Sequence, residues 1–369
     1  MPVQERRQGL LKTDKRDALN LANHLYNQLE KGIQVANKLQ LVRRAVPPSE
    51  GAAQLRGLIQ HRYELKIEMT RRKNKLTAIC DELFPEFTTI FKDPNLPGAL
   101  VLRRDFPTPL AVATASMEAL RAVRIHKHPS DAALVELQSL AATSIGTKDV
   151  VRQRGLVFEQ TQLIAELLLM QEHVDAMDQE ISVVIEHSRE GRILTSIPGV
   201  GPIQAATLLA TIGNIENFPT AATLKAYLGW APRVSQSGTS LNSASLARSG
   251  MRTTKQTMFL VVATVIRMDC EWAKLYQRLV PLKCRYDERK RDYVGKKKVM
   301  GRIAGQMISL MFALLKQDQE VLRRTPPGQT PPEPILYDRS IHLAHRAGAY
   351  RPSRPQAHPS KIIQLPRIP

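Results

Sequence analysis

Ser237 stands in the run Ser235-Gln236-Ser237-Gly238-Thr239-Ser240, which continues through Asn242, Ser243 and Ser245 to Arg248, Gly250, Arg252 and Lys255. A serine hydroxyl is a weak nucleophile at its free pKa. It becomes a reactant only where neighbours stabilise the alkoxide and the charge on a phosphoryl group under attack, which guanidinium and ammonium groups such as Arg248, Arg252 and Lys255 can do. Read for composition alone, the same stretch is a Ser and Gly rich flexible connection with no chemistry. Asp14 and Asp17 form a second candidate in Lys12-Thr13-Asp14-x-x-Asp17-Ala18. Carboxylates three apart on a helix project from one face and can hold a divalent cation against a phosphate. Aspartates in a first turn also simply complement the helix dipole, and two carboxylates alone make an incomplete site.

The sharpest local pattern is Ile197-Pro198-Gly199-Val200-Gly201-Pro202, leading into Ile203-Gln204-Ala205-Ala206-Thr207-Leu208-Leu209. Two glycines one residue apart, just before a helix with small residues on one face, let two helices approach closely and leave backbone N–H groups exposed at the turn. Gly199, Val200 and Gly201 are therefore read as the turn of a helix-hairpin-helix, whose N–H groups grip a phosphate without regard to sequence. The competing reading is a tight turn used for packing. Lys296, Lys297 and Lys298 precede Ile303, Met307, Ile308, Leu310, Met311 and Leu314, so a basic patch opens an apolar helix. Those lysines can screen phosphates or merely solvate a helix start.

The elements that must position these residues are mostly helical. Asp14 to Glu30 repeats Leu19, Ala22, Leu25, Tyr26 and Leu29 at three- and four-residue steps, and residues 33–42 read as a weak strand or linker. Ser49 can cap a long helix carrying Leu55, Leu58, Leu65, Met69, Leu76 and Ile79, with Arg62, Lys66, Arg71, Arg72, Lys73 and Lys75 on its other face. Residues 85–109 are turn-rich, short helices follow, and a long helix spans about 148–188. In that helix Leu156, Leu163, Ile164, Leu167, Val174, Met177, Ile181 and Val184 form a seam suited to a coiled coil or an antiparallel helix pair. From Thr325 onward ten prolines in 45 residues predict a disordered tail.

Composition limits the partners. The chain has 369 residues, 43% apolar and 24% charged, and a formal charge of +19, which points to a polyanion. Arg233 to Arg302 holds 16 Lys and Arg against five acids. Cys80, Cys270 and Cys284 stand far apart with no CxxC pair, which argues against zinc or a disulfide framework and fits a reducing compartment. Neither a secretory leader nor a membrane span is expected, because the N-terminus is polar and the apolar run from Met258 stops at Arg267.

The ordered series KTDxxDA, long basic helix, helical seam, IPGVGPIQAATLLATIG, AYLGWAPRVSQSG, LARSGMRTTK and GKKKVMGRIAGQM closely resembles the DEDD-type insertion-sequence transposases of bacteria and archaea, over about residues 10 to 318. The resemblance implies a mainly α chain: a remnant of an RNase H-like (RuvC-like) α/β domain in 1–47, a helical and coiled-coil region in 48–190, a helical C-terminal transposase domain with the helix-hairpin-helix in 191–320, and the Pro-rich tail in 321–369. It assigns Asp14 and Asp17 to the last two acids of a Mg²⁺ site and Ser237 to the residue that joins covalently to DNA. Gly250 matches the glycine that closes the following turn, and Arg248 and Lys255 fall where the family usually has basic residues; with Arg252, Lys296 to Lys298 and the Gly199-Val200-Gly201 turn read above, they are the expected DNA contacts. DNA is the implied partner, with a structured guide RNA in at least some members, a homo-oligomer as the working form, no membrane, and a cytoplasmic, nucleoid-associated location.

The family's first Asp and its Glu lie on strands upstream of KTDxxDA, whereas here Lys12 follows Met1 by eleven positions. The expectation is a truncated or wrongly started chain, inactive by itself. A competing class is a non-catalytic DNA- or RNA-binding protein in which Ser237 is an ordinary loop residue.

Overall fold

The computed structural model describes residues 45–123, 129–230, 232–237, 241–246 and 251–340, together with Ala18, Leu19, Ala22, Asn23 and Tyr26. Asp14, Asp17, Arg248 and Gly250 lie outside the described residues, as does nearly all of the 1–47 stretch for which a RuvC-like remnant is expected. Leu19 and Tyr26, on the apolar face read from the sequence, are exposed. Contacts divide the chain into Met1–Pro47 and Pro48–Pro369.

In the second unit two long helices set the frame, α1 (Glu50–Leu83) and, much later, α7 (Val150–His187). Their lengths correspond to about 50 and 57 Å at the α-helical rise of ~1.5 Å per residue. Asp149 starts α7 by accepting the Val151 and Arg152 N–H groups at 2.9 and 3.2 Å. The two run antiparallel: Arg62 pairs with Asp178, Arg72 with Glu166, Lys75 with Glu159 and Arg152 with Glu82. Between them Met69, Leu76, Leu156, Ile164 and Leu167 are buried. The α7 seam is thus filled by α1 of the same chain, the antiparallel-pair alternative.

A different α7 stripe faces outward. Val151, Phe158, Ala165, Leu169, Ala176 and Val183 recur at seven- and four-residue steps and are all exposed.

Five short helices cover the far end of the pair: α2 (Phe87–Ile90), α3 (Pro97–Asp105), α4 (Pro109–Thr114), α5 (Met117–Ala122) and α6 (Asp131–Ala142). Thr108, Ser116 and Ser130 cap α4, α5 and α6 through their hydroxyls. Phe87, Leu102, Leu120, Leu134 and Leu137 form the core of this layer. Arg103 is buried there; it donates to Gln160 Oε1 and to the carbonyls of Pro94 and Leu76, so its charge is solvated by fixed oxygens.

The C-terminal half is a helical cluster: α8 (Arg189–Thr195), α9 (Pro202–Ile212), a 3₁₀ turn, α10 (Ala221–Tyr227), α11 (Arg252–Val265), α12 (Glu271–Lys283) and α13 (Lys296–Arg324). By length and composition α13 could cross a membrane, yet its apolar residues Ile303, Met307, Ile308, Met311 and Leu314 are the centre of this core. Trp230 and Trp272 are buried, as expected of core aromatics, and the Trp230 indole N–H donates to Gly301 O at 2.8 Å. Ala52 and Leu55 of α1 and Ile181, Val184 and Ile185 of α7 belong to the same core. A boundary at 190/191 therefore cuts through packed side chains, because both long helices continue from the middle region into the C-terminal one.

Two hairpins interrupt the helices. In the first, β1 (Pro232–Ser237) pairs antiparallel with β2 (Leu241–Leu246); in the second, β3 (Arg285–Asp287) pairs with β4 (Asp292–Val294). Ser235 to Ser237 of the Ser and Gly rich stretch are thus paired with Leu241 to Ser243, while residues 238–240 lie outside the described residues. Residues 321–340 of the proline-rich segment also depart from the sequence reading, while residues 341–369 lie outside the described residues. The helix continues to Arg324, and the chain beyond it docks on the cluster: Glu333 pairs with Arg192, the Tyr337 N–H donates to Ser196 Oγ at 2.9 Å, and the Tyr337 ring stacks on Trp272. Proline forbids a helix here but leaves an extended strap free to use side-chain contacts.

Candidate nucleic-acid interface

Ser188 starts α8 by accepting the Gly191 N–H at 2.7 Å. Arg189, the first residue of α8, donates through Nε to both oxygens of Asp318 on α13, at 2.9 and 2.7 Å. The chain then turns through Ile197-Pro198-Gly199-Val200, closed by the Val200 N–H to Ile197 O bond at 3.1 Å. Proline second and glycine third is the pattern of a type II turn, which requires a positive φ at the third residue; Gly199 has φ +78°. A Cβ at Gly199 would stand 2.4 Å from Val265 Cγ2 and 3.2 Å from Val261 O, so the turn rests directly on α11. The packing reading of this glycine therefore holds, and it is compatible with a phosphate role for the same turn.

Gly201 is the N-cap of α9, with Pro202 at the first helical position. The N–H groups of Ile203 and Gln204 lie in the first turn, where no intrahelical acceptor exists and the helix dipole favours an anion. Ala205 and Ala206 are fully buried, which permits α9 to pack tightly between α1 and α11. The Thr211 and Thr254 hydroxyls, 3.4 Å apart, bring the end of α9 against the start of α11.

A cleft of about 390 Å³ opens beside the start of α9, lined among others by Arg62 and Lys66 of α1, Ile203 and Gln204 of α9, and Thr253 and Gln256 of α11. Burial, and then the nearby Arg62 charge, pushes the Lys66 ammonium below its ordinary pKa. Such a cation gains from any anion that enters. Arg62 is held by Asp178, with Nη2 to Oδ2 at 3.0 Å. The sequence identified α1 as basic but could not show that its 62–66 turn faces the start of α9. The basic face of α1 is also less free than the sequence implies: Arg62, Arg72 and Lys75 are paired with α7 acids, and Arg71 with Glu68.

Ser237 is the last residue of β1, opposite Leu241 across a three-residue connection. β2 leads towards α11, whose first turn carries exposed Arg252 and half-buried Lys255. Lys296 is held by Asp292, whereas Lys297 and Lys298 are exposed at the start of α13. The hydrogen bond from Lys296 holds the Asp292 carboxyl below the usual range. Among the described residues no group of three or more His, Cys, Asp or Glu could hold a metal.

The fold thus brings a glycine turn at a helix start and a cationic cleft together, in a helical domain that also carries the Ser237 hairpin. Residues 191–277 match the family model of Transposase IS116/IS110/IS902 family. The chain is 28% identical over 330 residues to an uncharacterized 43.6 kDa protein of insertion element IS110 from Streptomyces coelicolor, covering 87% of this chain and 74% of the relative. It is 26% identical over 196 residues to the uncharacterized 44.8 kDa protein of insertion element IS116 from Streptomyces clavuligerus, 52% of this chain and 48% of that one. A pilin gene-inverting protein of Moraxella bovis is 26% identical over 149 residues, 40% and 43% of the two chains. By these matches the chain is similar to proteins of the IS110 and IS116 insertion elements, with the family-model similarity confined to residues 191–277. The matched region contains the glycine turn, the cap of α9, Ser237, Arg252 and Lys255.

Proposed function

We propose that the chain is an insertion-sequence transposase that recombines DNA, with Ser237 as the nucleophile. The observation that carries this reading is the family match over 191–277, which spans both the glycine turn and the serine hairpin. In the attacking step the Ser237 hydroxyl gives up its proton, an Oγ–P bond forms, and the P–O bond to the deoxyribose of the leaving strand breaks. That strand leaves as an alcohol once it takes a proton. Arg248, Arg252 and Lys255 supply positive charge for the phosphoryl oxygens. The turn at Gly199–Gly201 and the first turn of α9 hold a backbone phosphate nearby without reading sequence.

Mg²⁺ takes about six oxygen ligands. Asp14 and Asp17 are donors of the right kind but furnish two carboxylates, so the remaining ligands must come from water, the phosphate and further acids. Oligomer formation is supported by the outward stripe on α7, which has heptad spacing and no partner helix among the described residues. A structured RNA guide is compatible with the basic surfaces, and action on DNA places the protein at the cytoplasmic nucleoid.

The test is covalent trapping. The full chain is incubated with DNA from the ends of its own element and Mg²⁺, then denatured and resolved for protein joined to a cleaved strand. An adduct with the wild type that disappears in Ser237→Ala, with DNA binding retained, supports the proposal. An adduct undiminished in Ser237→Ala removes the serine from the mechanism, and binding without any adduct in either protein, even when a relative's complete amino-terminal half is supplied, favours the non-catalytic binder.

A further inference from the structure

We infer that the β3–β4 hairpin is a DNA-reading ribbon that lies in the major groove of B-form duplex. This rests on DNA as the partner in the proposed function but not on Ser237, and the hairpin lies outside the matched family region. Between Lys283 and Lys298 there are eight Lys and Arg against three acids. Two of the three acids are committed internally. Asp287 accepts the Arg289 and Lys290 N–H groups at 3.1 and 3.3 Å and so orders the tip, while Asp292 accepts the Tyr293 N–H at 2.8 Å and binds Lys296. Asp287 and Asp292 sit directly opposite each other, a repulsive placement that those bonds relieve.

Arg285, Arg289, Lys290, Arg291, Lys297 and Lys298 are exposed and make no ion pair among the described residues, so the ribbon, which rests on the core through Tyr293, and the helix start after it present cations with only Glu288 to offset them. Tyr286 and Tyr293 pair across the strands with ring centroids 5.2 Å apart, stiffening the ribbon on one face. Arg291 adopts φ +49°, which turns the tip tightly. A two-stranded ribbon, with strands about 4.8 Å apart, fits a B-form major groove of about 12 Å. The major groove of A-form RNA is too narrow and deep for it.

The test measures binding of the full chain to duplexes of about 30 base pairs, one DNA and one RNA, by fluorescence anisotropy across a salt series. Replacing Arg285, Arg289, Lys290 and Arg291 together by Ala should weaken DNA binding at least about tenfold and lower the salt slope by about 2 to 4, with RNA binding changed far less. A second variant, Arg285→Lys with Arg289→Lys and Arg291→Lys, should keep most of the salt slope while losing part of the affinity, because lysine carries the charge without the planar fork. Unchanged DNA affinity and slope in the alanine variant overturns the inference, and so does an equal loss on the RNA duplex. A wild-type chain that binds neither duplex removes the DNA premise itself. Loss of binding in the hairpin variant but not in Ser237→Ala separates this surface from the chemistry.

Discussion

Arg189 and Asp318 join the first residue of α8 to the last third of α13, with Asp318 only 2% exposed and Arg189 Nη2 buried without an acceptor. A carboxylate this deep is tolerated because the guanidinium meets both of its oxygens. Asp318→Asn leaves the half-buried Arg189 without its counterion and should destabilise the fold by about 2 kcal/mol, whereas Arg189→Met combined with Asp318→Leu should recover much of that loss. Urea denaturation of the two singles and the double gives the coupling directly.

Gly199 and Gly201 look alike in the sequence and differ in the structure. At Gly199 a methyl group meets Val265 at 2.4 Å and φ is positive; at Gly201 it meets only the movable end of Gln204. Gly199→Ala should cost about 2 kcal/mol or more and shift the turn, while Gly201→Ala should cost less than about 1 kcal/mol. Thermal melts distinguish the two.

Lys66 and Asp178 act on the cleft with opposite signs. Burial first, then Arg62, holds the Lys66 pKa below 10.5, so its charged form weighs against the free fold. For such a group the stability is fully present above 10.5 and is lost as pH falls through the lowered value. Lys66→Met should therefore raise Tm near neutral pH, with the gap to wild type closing as the pH approaches 10.5. It should also weaken nucleic-acid binding and reduce the salt slope by about 1. Asp178→Asn releases Arg62 towards the cleft and should strengthen binding, at a stability cost below about 1 kcal/mol for a partly exposed pair.

Phe158 and Leu169 project from α7 at 68% and 53% exposure. Phe158→Asp together with Leu169→Asp should leave the melting curve within about 0.5 kcal/mol of wild type, as surface changes do. The same pair should shift sedimentation towards the monomer. An unchanged sedimentation coefficient would remove this stripe as the subunit contact.

Local chemistry made part of this architecture readable. Pro198 and Gly199 specify their turn, and the α1 and α7 periodicities specify long helices, because each signal depends on near neighbours. What escaped depends on distance along the chain. Nothing around Lys66 announces that α9 starts beside it, and nothing around Leu156 reveals whether its seam faces α1 or another subunit. The Ser237 stretch escaped for a different reason: serine, glycine and threonine dominate its composition, while pairing of Val234 with Ala244 and of Gln236 with Asn242 turns it into a hairpin. The strap beyond Arg324 was hidden by its prolines, which foretell the absence of a helix but are silent about the Trp272 ring on which Tyr337 lies.

Both long helices are anchored at one end in the C-terminal core and at the other beneath the small-helix cap. An unbroken helix is stiff along its axis, so the pair transmits displacement in the manner of a lever, with no hinge to absorb it. Arg62 and Lys66 at the mouth of the cleft thus lie on the same unbroken helix whose far end carries the cap.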